Sequence, residues 1–177
     1  MAQPVLVMVS GLPGSGKSYF SRLLAREVPL AVLESDYLRQ VLFPRPTYSA
    51  DESARLFSAI HGLVQRLLQM GIPVLLDATN LVEANREQLY HIADQLNVPL
   101  VLVYLKAPPE VVQERLQRRA QQPEPESYST ADWEVYQRMR HTVERIRRRH
   151  FVVDTSRDIK PALDRVLREV RRYMRTA

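Results

Sequence analysis

The stretch "GLPGSGKS", Gly11 to Ser18, constrains this chain more than any other feature. It matches G-x-x-x-x-G-K-[ST] at every fixed position, with the apolar run "PVLVMVS" before it and the helical pattern "KSYFSRLLAREV" after it. A β-branched apolar run of that kind is expected of a strand covered on both faces. Backbone N–H groups of Gly14, Ser15, Gly16, Lys17 and Ser18 can then converge on a phosphate. Side chains at Gly14 or Gly16 are expected to obstruct that approach. The helix start adds a favourable field for an anion. In this arrangement Lys17 bridges the β- and γ-phosphates of a nucleoside triphosphate, and the Ser18 hydroxyl ligates Mg²⁺. Gly11 and Tyr19 complete the expected nucleotide-binding turn. Of 25 basic residues only three are lysine, and one of them, Lys17, closes the turn. A compact ammonium fits there and a broad guanidinium does not.

Strand and helix patterns alternate along the rest of the chain. Apolar runs at "LAVLES", "IPVLLDATN", "VPLVLVYLKA" and "HFVVDTS" predict four more strands. The segments "DESARLFSAIHGLVQRLLQMG", "EANREQLYHIADQLN", "PPEVVQERLQRRA", "ADWEVYQRMRHTVERI" and "KPALDRVLREVRRYM" predict helices between and after them. This order predicts an α/β fold with a mainly parallel sheet. No repeat or linker interrupts it, so residues 1–177 are expected to form one domain. The polar, proline-bearing "QQPEPESYST" predicts a loop, and the stretch from about 115 to 131 a lid. The absence of cysteine excludes disulfides, thiolate zinc sites and thiol nucleophiles, and fits a reducing cytosol. The N-terminal run lacks the basic start and cleavage site of a signal peptide, and no run is long enough to span a bilayer. A cytoplasmic protein is the expectation.

In parallel α/β sheets, ligands sit beyond the C-terminal ends of the strands. After the second strand comes "ESDYLR", where Asp36 and Arg39 are three apart and share a helical face. Asp36 can accept a proton from an attacking hydroxyl, and Arg39 can steady the acceptor or the phosphoryl group. The same residues also suit a helix N-cap and a surface arginine. Asp77 ends the third strand, the usual position for a carboxylate that holds Mg²⁺; the alternative is an N-cap role, for which Thr79 and Asn80 also qualify. Sequence does not order Asp36 and Asp77 around the metal. Arg115 and Arg119, four apart, precede the polar loop and can neutralise transferring phosphates, or simply favour a helix end. Thr155, after the fifth strand, is a candidate contact to the nucleotide base. No guanine-type motif follows the fourth or fifth strand, and no glutamate adjoins Asp77, which argues against a GTPase and a motor ATPase.

Charge is uneven. From position 138 to the end, 13 basic residues face 5 acidic ones, whereas residues 1–137 carry a net negative charge. A basic C-terminal part suggests an anionic partner, or a solvated arginine-rich helix.

Taken in order, "GLPGSGKS", "ESDYLR", "DATN", "YLKAPPEVVQERLQRR", "ADWEVYQRM" and "VVDTS" resemble the P-loop kinases called AAA_33, or zeta-toxin/polynucleotide-kinase-like. The resemblance spans nearly the whole chain. It implies an adenylate-kinase-like five-stranded parallel sheet of order 2-3-1-4-5, with ATP and Mg²⁺ as cofactors. It also implies Asp36 as general base, Arg39 as the acceptor-side arginine, and Arg115 or Arg119 as a lid arginine. The implied activity is phosphotransfer to an alcohol, first a 5′-hydroxyl polynucleotide end, and second a sugar, metabolite or antibiotic. A non-catalytic ATP-binding regulatory module is the reading of a different class. A general base at Asp36 would serve no purpose in it.

Overall fold

The computed structural model describes residues 3–125 and 127–175. Residues 1, 2, 126, 176 and 177 lie outside the described residues; they include the ends of the expected domain and one position of the expected lid.

Five strands run β1 (Leu6–Ser10), β2 (Ala31–Glu34), β3 (Val74–Asp77), β4 (Leu100–Lys106) and β5 (Phe151–Asp154). They form one parallel sheet in the order β2-β3-β1-β4-β5, as expected. Leu6 pairs with Val74 on one side and Leu100 on the other, so β1 is central. Every residue of β1 and β3 is buried. Side chains alternate faces along a strand, which is why one apolar run serves two cores. Leu6 and Met8 pack with α3 (Ala50–Gln69) and α4 (Glu83–Gln95) through Leu56, Ile60, Val64 and Leu89. Val7 and Val9 pack with α1 (Lys17–Glu27) and α7 (Lys160–Arg175) through Phe20, Leu24, Val166 and Val170. The result is three layers, helix on sheet on helix.

Three further helices stand at the C-terminal end of the sheet. They are α2 (Ser35–Leu42), α5 (Pro109–Gln121) and α6 (Trp133–Met139). Val112, Leu116 and Tyr136 form a small separate core against Leu12 of the glycine turn. Trp133 stacks on Tyr136 with ring centroids 4.8 Å apart, so this aromatic pair is packing.

One expected helix is shorter than its sequence pattern. The helical period of "ADWEVYQRMRHTVERI" runs to Ile146, but α6 ends at Met139 and a single 3-10 turn covers Arg140–Thr142. Tertiary partners capture the backbone beyond it. The Glu144 N–H donates to the Leu81 carbonyl at 2.8 Å, and the buried Arg86 guanidinium takes the Glu144 and Arg145 carbonyls at 2.8 and 3.2 Å. Among the described residues, no helix is long and apolar enough to cross a membrane.

Candidate active site

The glycine turn lies between β1 and α1, and its shape is set by close packing. Gly14 and Gly16 have φ of 75° and 90°, in the left-handed region that L side chains rarely adopt. A β-carbon on Gly14 would come 2.8 Å from Val112, and one on Gly16 would come 3.3 Å from Thr155. The crowding expected from a phosphate thus comes first from the protein itself, from α5 and the turn after β5. Beneath the loop, the Ser10 hydroxyl and the Gly11 N–H both donate to the Thr79 carbonyl, at 2.7 and 3.1 Å. These bonds tie the end of β1 to the end of β3.

Arg115 and Thr155 brace the loop from the side. Arg115 Nη1 donates to the Gly14 carbonyl at 3.1 Å and to Thr155 Oγ1 at 2.8 Å, and Nη2 donates to the Thr155 carbonyl at 2.7 Å. Thr155 Oγ1 in turn donates to the Ser15 carbonyl at 2.8 Å. Four expected site residues, Gly14, Ser15, Arg115 and Thr155, therefore meet here, with Arg115 bracing the loop. Tyr19 points outward with 57% of its surface exposed, so only its backbone belongs to the turn.

A cluster of four charges sits at the loop's mouth. Lys17 Nζ donates to the Leu12 carbonyl at 3.1 Å. Burial pulls the Lys17 pKa down, the Asp77 and Asp36 carboxylates pull it back up, and Arg119 adds to the lowering. Burial pushes the Asp77 carboxyl up; Lys17 and the facing Ser18 and Ser21 hydroxyls oppose this, while Asp36 reinforces it. Arg119 is lowered by burial, with Asp36 the first opposing charge. Asp36 therefore acts electrostatically on Lys17, Asp77 and Arg119 alike, and Arg119 reaches the cluster from the last turn of α5. Asp77 Oδ2 is buried without a hydrogen-bond partner. An orphaned carboxylate oxygen beside a hydroxyl is a fit for a hard cation completed by phosphate oxygens and water. Among the described residues, no three His, Cys, Asp or Glu side chains gather to hold a metal without such help.

Arg39 is not part of that cluster. Its guanidinium is buried, with Nη1 donating to Glu52 Oε1 at 2.5 Å, Nη2 to Ser53 Oγ at 3.2 Å, and its face over the Tyr48 ring at 4.7 Å. The sequence spacing correctly put Asp36 and Arg39 on α2, but the expectation of an acceptor-side arginine meets an arginine already engaged. Glu52, at the start of α3, is the reason. It also accepts from the Thr47 N–H at 2.6 Å, the Thr47 hydroxyl at 2.8 Å and the Tyr48 N–H at 3.2 Å. The Thr47 N–H, followed by Arg39, holds the Glu52 carboxyl down at about 2. Arg39 and Glu52 together fix the turn between α2 and α3, including Tyr48 at a left-handed φ of 56°.

Residues 128–131 fold over this turn. Tyr128 packs on Tyr37 at 4.8 Å, its carbonyl accepts from Gln40 Nε2 at 2.9 Å, and Tyr48 and Thr130 share a hydroxyl bond of 2.9 Å. Arg119 Nη2 donates to the Ala131 carbonyl, joining the cluster to the same cover. Sequence reasoning gave Glu52, Tyr37, Tyr48 and Tyr128 no individual role. The only signal for Glu52 was its place in the first turn of an amphipathic helix, where acidic residues are common for another reason.

L-seryl-tRNA(Sec) kinase of Methanococcus maripaludis is 30% identical over 66% of this chain and 47% of its own length. Adenylyl-sulfate kinase of Myxococcus xanthus is 26% identical over 60% of each chain. The chain thus spans about half the length of the curated relatives it matches. Among solved structures, Chaetomium thermophilum Kti12 in complex with ADP-AlF3 has the same fold, with a TM-score of 0.75 and 21% identity over 96% of this chain and 98% of that one. The AAA_33 family model, described as an AAA domain, matches residues 6–146, and the chain belongs to that family.

Proposed function

We propose that this protein is an ATP- and Mg²⁺-dependent kinase that transfers the γ-phosphate to a hydroxyl, with a 5′-hydroxyl polynucleotide end as the acceptor. The observation that carries the reading is Asp36, a carboxylate beside the phosphate-loop lysine, Arg119 and Asp77. A module that only bound ATP would need the loop but not that carboxylate. Both curated relatives named above are kinases, one of them acting on a tRNA-linked serine by its name.

In this reading the acceptor oxygen attacks the γ-phosphorus, the bond to the β–γ bridging oxygen breaks, and the acceptor proton passes to Asp36. Lys17 and Arg119 offset the charge spread over the transferring group. Ser18 and Asp77 would hold Mg²⁺, which supplies Lewis-acid neutralisation of the phosphates. Gly11 to Tyr19 supply the backbone cradle. Arg115 and Thr155 keep it in shape, and Arg39 keeps the acceptor-side turn in shape. Residues 1–177 act as one domain, with the segment from about 115 to 131 as its lid. Its helical part is fixed by packing and its cover is the stretch after Gln121.

A small hydroxylated metabolite is the second reading. The observation that favours it is the cover resting on Tyr37 and Tyr48, which confines the acceptor side. Transfer from γ-labelled ATP to a panel of 5′-hydroxyl DNA and RNA oligonucleotides, sugars and nucleosides separates the two. Labelled oligonucleotides are expected. Label confined to small molecules would replace the first reading by the second, and no acceptor-dependent turnover would remove both.

A further inference from the structure

One buried charge takes no part in the steps above. Arg86, near the start of α4, is 1% exposed. Its three guanidinium nitrogens reach three separate pieces of chain. Nε donates to Glu83 Oε2 at 2.6 Å, Nη1 to the Asn80 carbonyl at 2.5 Å, and Nη2 to the Glu144 and Arg145 carbonyls at 2.8 and 3.2 Å. A planar fork of donors can hold such a set together, and the single ammonium of a lysine cannot. Burying an ion pair of this kind costs desolvation, and packed apolar residues in its place are often no less stable. Stability alone therefore does not account for it.

The Asn80 contact shows where Arg86 acts. Asn80 lies in the turn that follows β3, at a left-handed φ of 47°. A residue other than glycine keeps that conformation where its surroundings fix it. The Asn80 side chain does not do the fixing, because among the described residues its Nδ2 is buried without a partner. The carbonyls do. The Asn80 carbonyl accepts from Arg86 and, at 3.0 Å, from the Ser10 hydroxyl. One residue earlier, the Thr79 carbonyl accepts from the same hydroxyl at 2.7 Å and from the Gly11 N–H at 3.1 Å. Gly11 opens the phosphate loop, and Asp77 closes the strand from which the turn departs. Hydrogen bonds thus run from Arg86 through the turn to the loop. Without Arg86, a buried carbonyl loses a charged donor, and the strained residue beside the loop's anchor is free to relax.

We propose that Arg86 is a positioning residue for the nucleotide site, acting through the Asn80 carbonyl to hold the turn that sets the phosphate loop against Asp77. This rests on the ATP and Mg²⁺ part of the proposed function and not on the choice of acceptor. The test uses the whole chain and measures ATP binding with Mg²⁺ by calorimetry, at a temperature where melting curves show every variant fully folded. The variants are Arg86→Gln and Arg86→Lys, which keeps the charge and loses the fork. Arg86→Lys serves where Arg86→Gln fails to fold. The control is Leu89→Ala, which empties core volume on the same helix and touches no part of the turn.

Both Arg86 variants are expected to bind ATP about tenfold more weakly, within the range for residues that act without touching the ligand. The control is expected to melt lower than the wild type and to bind ATP as tightly. A merely structural role would lower melting and leave the affinity of the folded protein unchanged. Wild-type affinity in the Arg86 variants would therefore overturn the positioning role and leave the nucleotide reading intact. An equal loss of affinity in Leu89→Ala would overturn it as well, since any loosening of α4 would then suffice. No binding of ATP by the wild type would remove the nucleotide reading and this role with it.

Discussion

Asp77 is costly for the fold, and the proposed function gives that cost a use. Its carboxyl is buried, raised by that burial, and leaves Oδ2 without a partner. A raised pKa means that ionisation costs more in the fold than in the unfolded chain. Asp77→Asn is therefore expected to melt higher than the wild type at neutral pH without ligand, by about 2–4 °C for each kcal/mol recovered. Its advantage should fade below the ordinary carboxyl pKa, and its stabilisation by ATP with Mg²⁺ should be largely lost. Calorimetry with and without ligand measures both. Gly14 makes the opposite point. Gly14→Ala places a side chain at φ 75° and 2.8 Å from Val112, so a loss of roughly 1–2 kcal/mol or more is expected in urea unfolding. Gly62→Ala, in open space within α3, should instead gain about 0.5–1 kcal/mol.

At the scale of elements, the turn between α2 and α3 depends on one carboxylate. Glu52 is held down at about 2, so its contribution is full above its ordinary value of 4.5 and is lost as pH falls through about 2. Glu52→Gln should therefore melt below the wild type at neutral pH, with the gap closing as pH approaches about 2, in melts across pH. It should also raise KM for the acceptor more than for ATP, because the turn carries Tyr48 and not the phosphate loop. These elements also mark the limits of reading the chain. Every strand was visible, because local pattern settles them: β1 and β3 are buried throughout and apolar up to the polar residue that ends each. The end of α6 was not, because Arg86 and Leu81, distant in sequence, take the backbone bonds that would have continued the helix. Arg39 was placed on the right helix, but its partner lies 13 residues away, beyond any local spacing rule.

For the whole molecule, the sheet order brings the ends of β1, β2 and β3 together, and with them the turn, Asp36 and Asp77. That convergence was legible from strand alternation and from the family resemblance. The cover was not, since its contacts join Tyr37 to Tyr128 and Tyr48 to Thr130 through irregular chain. In the function proposed above, this convergence turns a triphosphate cradle into a phosphotransferase through Asp36. The direct measurement compares wild type and Asp36→Asn in transfer from labelled ATP to a 5′-hydroxyl oligonucleotide, with ATP affinity measured alongside. A fall of about 10²–10⁴-fold in transfer with near wild-type ATP affinity is the predicted result. Undiminished transfer, or a loss of ATP binding that matches the loss of transfer, would contradict the account.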